Sequence, residues 1–214
     1  MNTAQAHTDA AIEAPLRSDL HVIHNWIAPG SRVLDLGCGD GTLLASLRDN
    51  KQVKGYGLEF SADQIHACIS KKLNVIEQNL NDGLGNFTDH SFDVVVMTQA
   101  LQTLHAPHEV IREMLRVGKE CIVTFPNFAH WKARWHLALH GRMPVSDLLP
   151  YQWYDTPNIH FCTFTDFEIL CRELGITIVR RQVVASQGLG RLLKNLLPNL
   201  FGDTAIYHLT SSAN

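Results

Sequence analysis

Three glycines within five residues, Gly37, Gly39 and Gly41, sit between an apolar run and a helical pattern and constrain this chain more than any other feature. Residues 31–36 read as a strand that includes Val33 and Leu34, and residues 42–48 read as a helix. A turn that brings backbone close to a ligand needs glycine, because a side chain would clash and positive φ would strain it. The helix that opens there aims unpaired N–H groups and its positive dipole end at the turn. Strand, glycine turn and helix are the first unit of an α/β sheet and a cradle for a partly anionic ligand.

The unit repeats along the chain. Leu16, Leu20, Ile23 and Ile27, spaced by three and four, give one buried helical stripe that Pro29-Gly30 ends. Residues 53–59 are strand-like, 62–71 helical and 75–76 a short strand, and the valine-rich run 92–98 suits a central buried strand. Residues 107–116 form a helix with Glu109 in its first turn and Arg116 near its end, as the dipole favours; Gly118 stops it and 121–125 supplies a fifth strand. Later come a helix at 166–174, capped by Thr165 and stopped by Gly175, and strands at 176–185 and 205–210. An apolar-basic helix around 189–197, with Leu192, Leu193, Leu196 and Leu197, is expected to pack on the sheet, or else to cover a homo-oligomer contact. The pattern predicts an α/β fold: a mostly parallel, doubly wound sheet of about seven strands with helices on both faces.

A length of 214 residues fits one domain, read as residues 15–214 behind a flexible stretch at 1–14. The hydrophobic fraction of 45% and charged fraction of 18% exclude long disorder and a coiled coil. A net charge of -3 offers no global attraction to nucleic acid or anionic lipid. The five cysteines contain no C-x-x-C pair, which fits reduced thiols in the cytoplasm. Cys38 reads as a small residue filling the turn. No basic, apolar leader and no run near the roughly 20 apolar residues of a membrane span is present, so neither export nor a membrane is expected. His21-x-x-His24 and His105-x-x-His108 lack a third ligand, and no metal is expected.

After Pro126 the alternation is lost. Residues 128–140 carry Trp131 and Trp135 at i, i+4, with Lys132, Arg134 and three histidines but no carboxylate, and Pro144, Pro150 and Pro157 punctuate the long connection that follows. Residues 127–160 are read as a cap or interface segment. Trp131, Trp135, Arg134 and Arg142 are suitable anchors for a partner, and a core or lid role stays open beside that. No nucleic-acid module accompanies them. Tyr154, Asp155 and His160 are candidates for a base or for loop anchors.

The third position of a dinucleotide fingerprint, G-x-G-x-x-G, is Thr42 here, which argues against NAD. V-L-D-L-G-C-G-D-G at 33–41 instead resembles the first motif of class I S-adenosylmethionine-dependent methyltransferases, and the order of elements up to Phe125 is similar to theirs. The resemblance implies a Rossmann-like fold with S-adenosylmethionine or S-adenosylhomocysteine as cofactor, held by the turn residues Gly37, Cys38 and Gly39. It implies Glu59, with Phe60 beside it, as acceptor for both ribose hydroxyls, a task for which a carboxylate has two acceptor oxygens. It puts Asn79, followed by Leu80, where that family often has aspartate against the adenine amine. It puts Asp35 near the methionine amino end and Thr98-Gln99 beside the transferred methyl.

The second half carries more particular strings: F-P-N-F-A-H-W at 125–131, G-R-M-P-V-S at 141–146 and L-P-Y-Q-W-Y-D-T-P-N-I-H at 149–160. With L-R-S-D-L at 16–20 and E-M-L-R-V-G at 113–118, they resemble the MetW family of methionine-biosynthesis proteins along nearly the whole chain. That resemblance implies a methyltransferase-like protein working with homoserine O-acyltransferase, the enzyme that activates homoserine for sulfur incorporation. Three expectations follow, the first two being an S-adenosylmethionine-binding accessory or regulatory protein and an active methyltransferase on a small molecule. A structural partner with an empty site is the third. Catalytic residues are unassigned, because no base for methyl transfer stands out.

Overall fold

The computed structural model describes residues 16–146, 149–185 and 189–211. The expected flexible stretch at 1–14 lies outside these. The first half alternates as α1 Ser18–Trp26, β1 Arg32–Leu36, α2 Thr42–Lys51, β2 Lys54–Glu59, α3 Ala62–Ser70, β3 Asn74–Glu77, β4 Phe92–Thr98, α4 Pro107–Val117 and β5 Gly118–Pro126. Single 3₁₀ turns at Leu80–Asp82 and Leu101–Thr103 follow β3 and β4. The second half adds α5 Trp131–His140, α6 Phe164–Glu173, β6 Ile176–Val184, α7 Leu189–Leu193, α8 Pro198–Phe201 and β7 Thr204–Ser211.

The strands form one seven-stranded sheet in the order β3-β2-β1-β4-β5-β7-β6. β1 to β5 run parallel, and β7 is antiparallel to both β5 and β6. The order reverses between β1 and β4, and in such sheets the crevice for a ligand opens at the carboxyl ends of the strands there. β1 and β4 are buried on both faces, as an apolar run in a parallel sheet requires. The two-residue period divides β4: Val95 and Met97 join the core on the side of α4 and α6, Val94 and Val96 the core on the side of α1 and α2.

Several boundaries differ from the sequence pattern. The basic, aromatic helix begins at Trp131 rather than at 128, because Asn127 is drawn into the fold and His130 takes the cap, its Nδ1 accepting the Lys132 N–H at 3.4 Å. α6 begins one residue after Thr163, whose Oγ1 accepts the Asp166 N–H at 3.2 Å, so Thr163 and not Thr165 is the N-cap. Gly118 ends α4 by entering β5 directly, where a Cβ would lie 2.6 Å from Val95 Cγ2. The helix expected around 189–197 stops at Leu193, α8 follows only from Pro198, and Leu192 and Leu196 are exposed rather than packed on the sheet. Among the described residues no helix is long and apolar enough to cross a membrane.

Candidate functional site

The glycine turn hangs from the end of β2: the Gly37 and Cys38 N–H groups both donate to Leu58 O, at 2.8 and 3.1 Å. Gly41 is required by packing, since with φ at +76° a Cβ there would lie 2.3 Å from Leu73 Cδ1 and 2.9 Å from Cys68 Sγ. Gly39, at φ +55°, is different. Among the described residues the only atom near its missing Cβ is Gln64 Oε1 at 3.9 Å, so that side of the turn stays clear of them.

Glu59 locks the turn. Its Oε2 accepts the Gly39 N–H at 2.9 Å, and its Oε1 accepts the Phe60 and Ser61 N–H groups at 2.8 and 3.0 Å. Three of the roughly four acceptor directions of a carboxylate are therefore in use. Of the two ribose hydroxyls expected there, one meets an open direction and the other meets an oxygen already engaged.

Two cavities lie on either side of the turn, at the carboxyl ends of β1 and β4. One of ≈ 300 Å³ is lined by Asp35, Gly37, Cys38, Gly39, Thr98 and Arg17. The other, ≈ 310 Å³, is lined by Gly37, Glu59, Phe60, Asn79, Leu80 and Thr98, with Gln99 beside them. Gly37 and Thr98 border both, so all ten residues expected from the sequence come together around one crevice. A larger groove of ≈ 600 Å³ runs behind α2, but two carboxylates that line it are already paired, Asp40 with Lys71 and Asp49 with Arg48, and no glycine opening faces it.

Asp35 is 1% exposed, and its Oδ1 has no hydrogen-bond partner. Burial, and then the charge of Glu59, push its carboxyl up to about 7. A buried acceptor without a donor is costly, and in a native fold it marks a place where a ligand donor fits. An ammonium group in the adjoining cavity would satisfy it. The orphaned Asp35 acceptor and the partly free Glu59 carboxylate would suit the ammonium and a ribose hydroxyl of the implied cofactor, which is a fit in donor chemistry.

Asn79 departs from expectation. Its Oδ1 accepts both the backbone N–H and the Nδ2 of Asn81, at 3.0 and 3.2 Å, and so caps the 3₁₀ turn. With the carbonyl oxygen so engaged, it is the amide N–H₂ that is left for the cavity, where an aspartate would offer an acceptor to the adenine amine. Phe60, 65% exposed at the rim, presents a flat face suited to a purine.

Sequence reasoning missed one polar connection. Asp19 is buried on α1, its Oδ2 accepting from Arg17 Nη2 at 3.1 Å and from Gln99 Nε2 at 3.3 Å. Gln99 itself sits at φ +53°, a strained region for a residue other than glycine. L-R-S-D-L served only as a family signature, yet a carboxylate three residues from Leu16 on the buried stripe was a readable signal. Cys38 Sγ lies 3.8 Å from Cys68 Sγ. Burial, followed by the Asp35 charge, holds the Cys38 thiol well above its usual range, which disfavours a nucleophilic thiolate.

The segment after β5 reaches back over the site. Gln102 O accepts the Ile159 and His160 N–H groups at 3.0 and 3.1 Å, and Gln102 Nε2 donates to Gln99 O at 2.8 Å. Tyr154, Asp155 and His160 are all exposed, and none borders either cavity. Among the described residues no group of three or more His, Cys, Asp or Glu is arranged to hold a metal.

The chain matches the family model described as methionine biosynthesis protein MetW over residues 17–209. It is 34% identical to a bifunctional methionine biosynthesis protein MetXA/MetW from Rhodopirellula baltica, over 96% of this chain and 34% of that protein. The chain thus spans about a third of that relative's length. A SAM-dependent methyltransferase from Archaeoglobus fulgidus superposes with a TM-score of 0.65 at 16% identity, covering 89% of this chain and 90% of that one. Magnesium protoporphyrin IX methyltransferase from Synechocystis, solved with bound SAH, gives 0.64 at 18% identity, covering 90% and 82%. At such identities these likenesses show the fold: Rossmann-like, of the class I methyltransferase type.

Proposed function

Because the chain belongs to the MetW family of methionine-biosynthesis proteins, we propose that it binds S-adenosylmethionine or S-adenosylhomocysteine and acts as an accessory or regulatory partner of homoserine O-acyltransferase. The observation that carries this reading is a cradle with ligand-ready groups that, among the described residues, none of the candidate bases Tyr154, Asp155 and His160 lines. A relative that joins MetXA and MetW in one chain supports the partnership.

In this reading Asp35 accepts from the ammonium of the ligand's amino-acid end, and Arg17, on the same cavity, faces its carboxylate. Glu59 takes a ribose hydroxyl, the Asn79 amide donates to a purine nitrogen, and Phe60 covers the ring. Gly37, Cys38, Gly39, Leu80, Thr98 and Gln99 shape the crevice. S-adenosylmethionine brings a sulfonium methyl group, but in an accessory protein the bound ligand serves as a signal rather than as a reactant. The proposed place of action is the cytoplasm, with residues 15–214 working as one methyltransferase-like unit and 127–160 as its cap or interface.

Regulation by the ligand requires different affinities for the free and the complexed protein, and the coupling is reciprocal. Calorimetric titration of S-adenosylmethionine into the chain alone, and into the chain with the acyltransferase, tests this. The reading predicts binding to both, with Kd values differing by about 5-fold or more. Equal Kd values would overturn the regulatory part, and absence of binding to either would overturn the cofactor part.

One observation favours an active methyltransferase instead. Asp35, with its carboxyl near 7 in the cavity that Thr98 borders, is a proton acceptor poised for neutral pH. Release of labelled methyl groups to a small-molecule extract distinguishes this reading.

A further inference from the structure

Among the described residues nothing buries a face of α5. None of its ten residues is buried, and Trp131 and Trp135 are 41% and 62% exposed. Leu137 and Leu139 are exposed as well. A helix this short is marginal in water by propensity alone, and in proteins a buried apolar face normally sustains it. Here the fastenings are at the ends: His130 caps the first turn, Arg134 Nε donates to Ala129 O, and Gly141 at φ +59° closes the last turn. Trp153 and Phe161 are exposed nearby in the chain. An apolar cavity of ≈ 240 Å³ is lined by Phe128, just before α5, and by Met143, Leu149, Tyr151, Trp153 and Phe161 after it. Apolar exposure on this scale marks an interaction surface, and Trp, Tyr, Met and Arg are the side chains that interface centres favour.

Charge selects the occupant. Residues 126–146 contain Lys132, Arg134 and Arg142 and no Asp or Glu. Among the described residues none of the three has a carboxylate within salt-bridge range. A second copy of this chain would set like charges against each other across a two-fold axis. A lipid surface needs apolar and basic residues separated onto opposite faces of a helix. On α5 Leu137 lies two positions from both Trp135 and Leu139, about 200° around the axis, so apolar side chains project on both sides. An acidic protein surface that embraces the helix satisfies both conditions.

We infer that α5 and the aromatic segment around it form the face that docks homoserine O-acyltransferase, through an acidic patch on the enzyme carrying an apolar anchor for the ≈ 240 Å³ cavity. This rests on the accessory reading above. The test uses the full chain and the purified acyltransferase, with a Trp131→Ala/Trp135→Ala variant and a Lys132→Glu/Arg142→Glu variant. The second changes only exposed charges, and decides the matter if the first fails to fold by circular dichroism and melting. Each folded variant is expected to bind the enzyme at least about 10-fold more weakly than wild type, and the charge reversal to reduce the salt dependence of binding. Wild-type binding that both variants retain would overturn the docking face and leave the accessory role standing. No wild-type binding would overturn the accessory role and this inference with it. Dimerisation, or binding to phosphatidylserine vesicles, that the variants abolish while enzyme binding is unchanged would assign the face to a second copy or to lipid, and overturn the inference.

Discussion

Glu59 and Gly39, 20 residues apart in sequence, are joined at 2.9 Å by a hydrogen bond from the glycine N–H to the carboxylate. The bond ties the end of β2 to the turn after β1, and the same carboxylate gathers the Phe60 and Ser61 N–H groups. The crevice is therefore shaped before any ligand enters it, and the residue implied in ribose binding is also a strut of the turn.

Glu59→Ala removes a charged acceptor from three backbone donors. Thermal melts should show a loss of about 1–3 kcal/mol, together with loss of the melting-temperature rise that S-adenosylhomocysteine gives the wild type. Glu59→Gln keeps one acceptor oxygen and should fall between. A Glu59→Ala protein that melts like wild type would contradict the strut.

The glycines of the turn should separate by role. Both positions are left-handed, but Gly41→Ala also forces a Cβ against Leu73 and Cys68, so it should lower the melting temperature more than Gly39→Ala, whose Cβ among the described residues nears Gln64 Oε1 at 3.9 Å. Gly39→Val should fold and lose the ligand-induced shift. The reverse order of stabilities, or an unchanged shift in Gly39→Val, would mean that the ligand lies elsewhere.

Asp35 gives a pH signature. Its carboxyl lies at about 7 in the folded chain against an ordinary value of 3.8, through burial and then the charge of Glu59. Between these values the folded chain keeps a proton that the unfolded chain has released. Stability from this group is thus complete below the lower value and is lost as pH rises through the upper one. Asp35→Asn should abolish that fall, so its stability relative to wild type should increase from pH 5 to about pH 8 in urea melts. Ligand binding runs the other way: an ammonium group favours the ionised carboxylate, so affinity for S-adenosylmethionine should rise with pH through about 7. Calorimetry of the wild type at several pH values checks this, and a similar rise in Asp35→Asn would contradict it.

Cys38 and Cys68 should resist alkylation. Burial is the first cause raising both thiols, which leaves little thiolate at pH 8. Mass spectrometry of iodoacetamide-treated native chain should find them labelled far more slowly than in urea. Equally fast labelling in the native state would place the turn in a more open form.

The sheet and the glycine turn were legible because their signals are local, whereas Glu59, Asn79 and Thr98-Gln99 came only from the family resemblance. The valine run of β4, the glycine turn and the Gly175 stop follow from side-chain period and backbone freedom, and the structure carries each of them. Where two local options compete, the pattern was insufficient: Thr163 and Thr165 are both good caps, and the position of the Asp166 N–H decides between them. The orientation of the Asn79 amide depends on Asn81, and the bond between Asp19 and Gln99 spans 80 residues. No short-range period reports such contacts. The leucines around 189–197 have a helical spacing that suggests a buried face, but the chain turns after Leu193 and leaves Leu192 and Leu196 in solvent.

The most direct test of the accessory role is the rate of acyl transfer to homoserine by the acyltransferase of the same cell, measured alone and with increasing amounts of this chain. The account predicts a saturable change in rate, marked by formation of a complex that elutes as one species. A rate unaffected at any concentration, with the two proteins eluting separately, would contradict it.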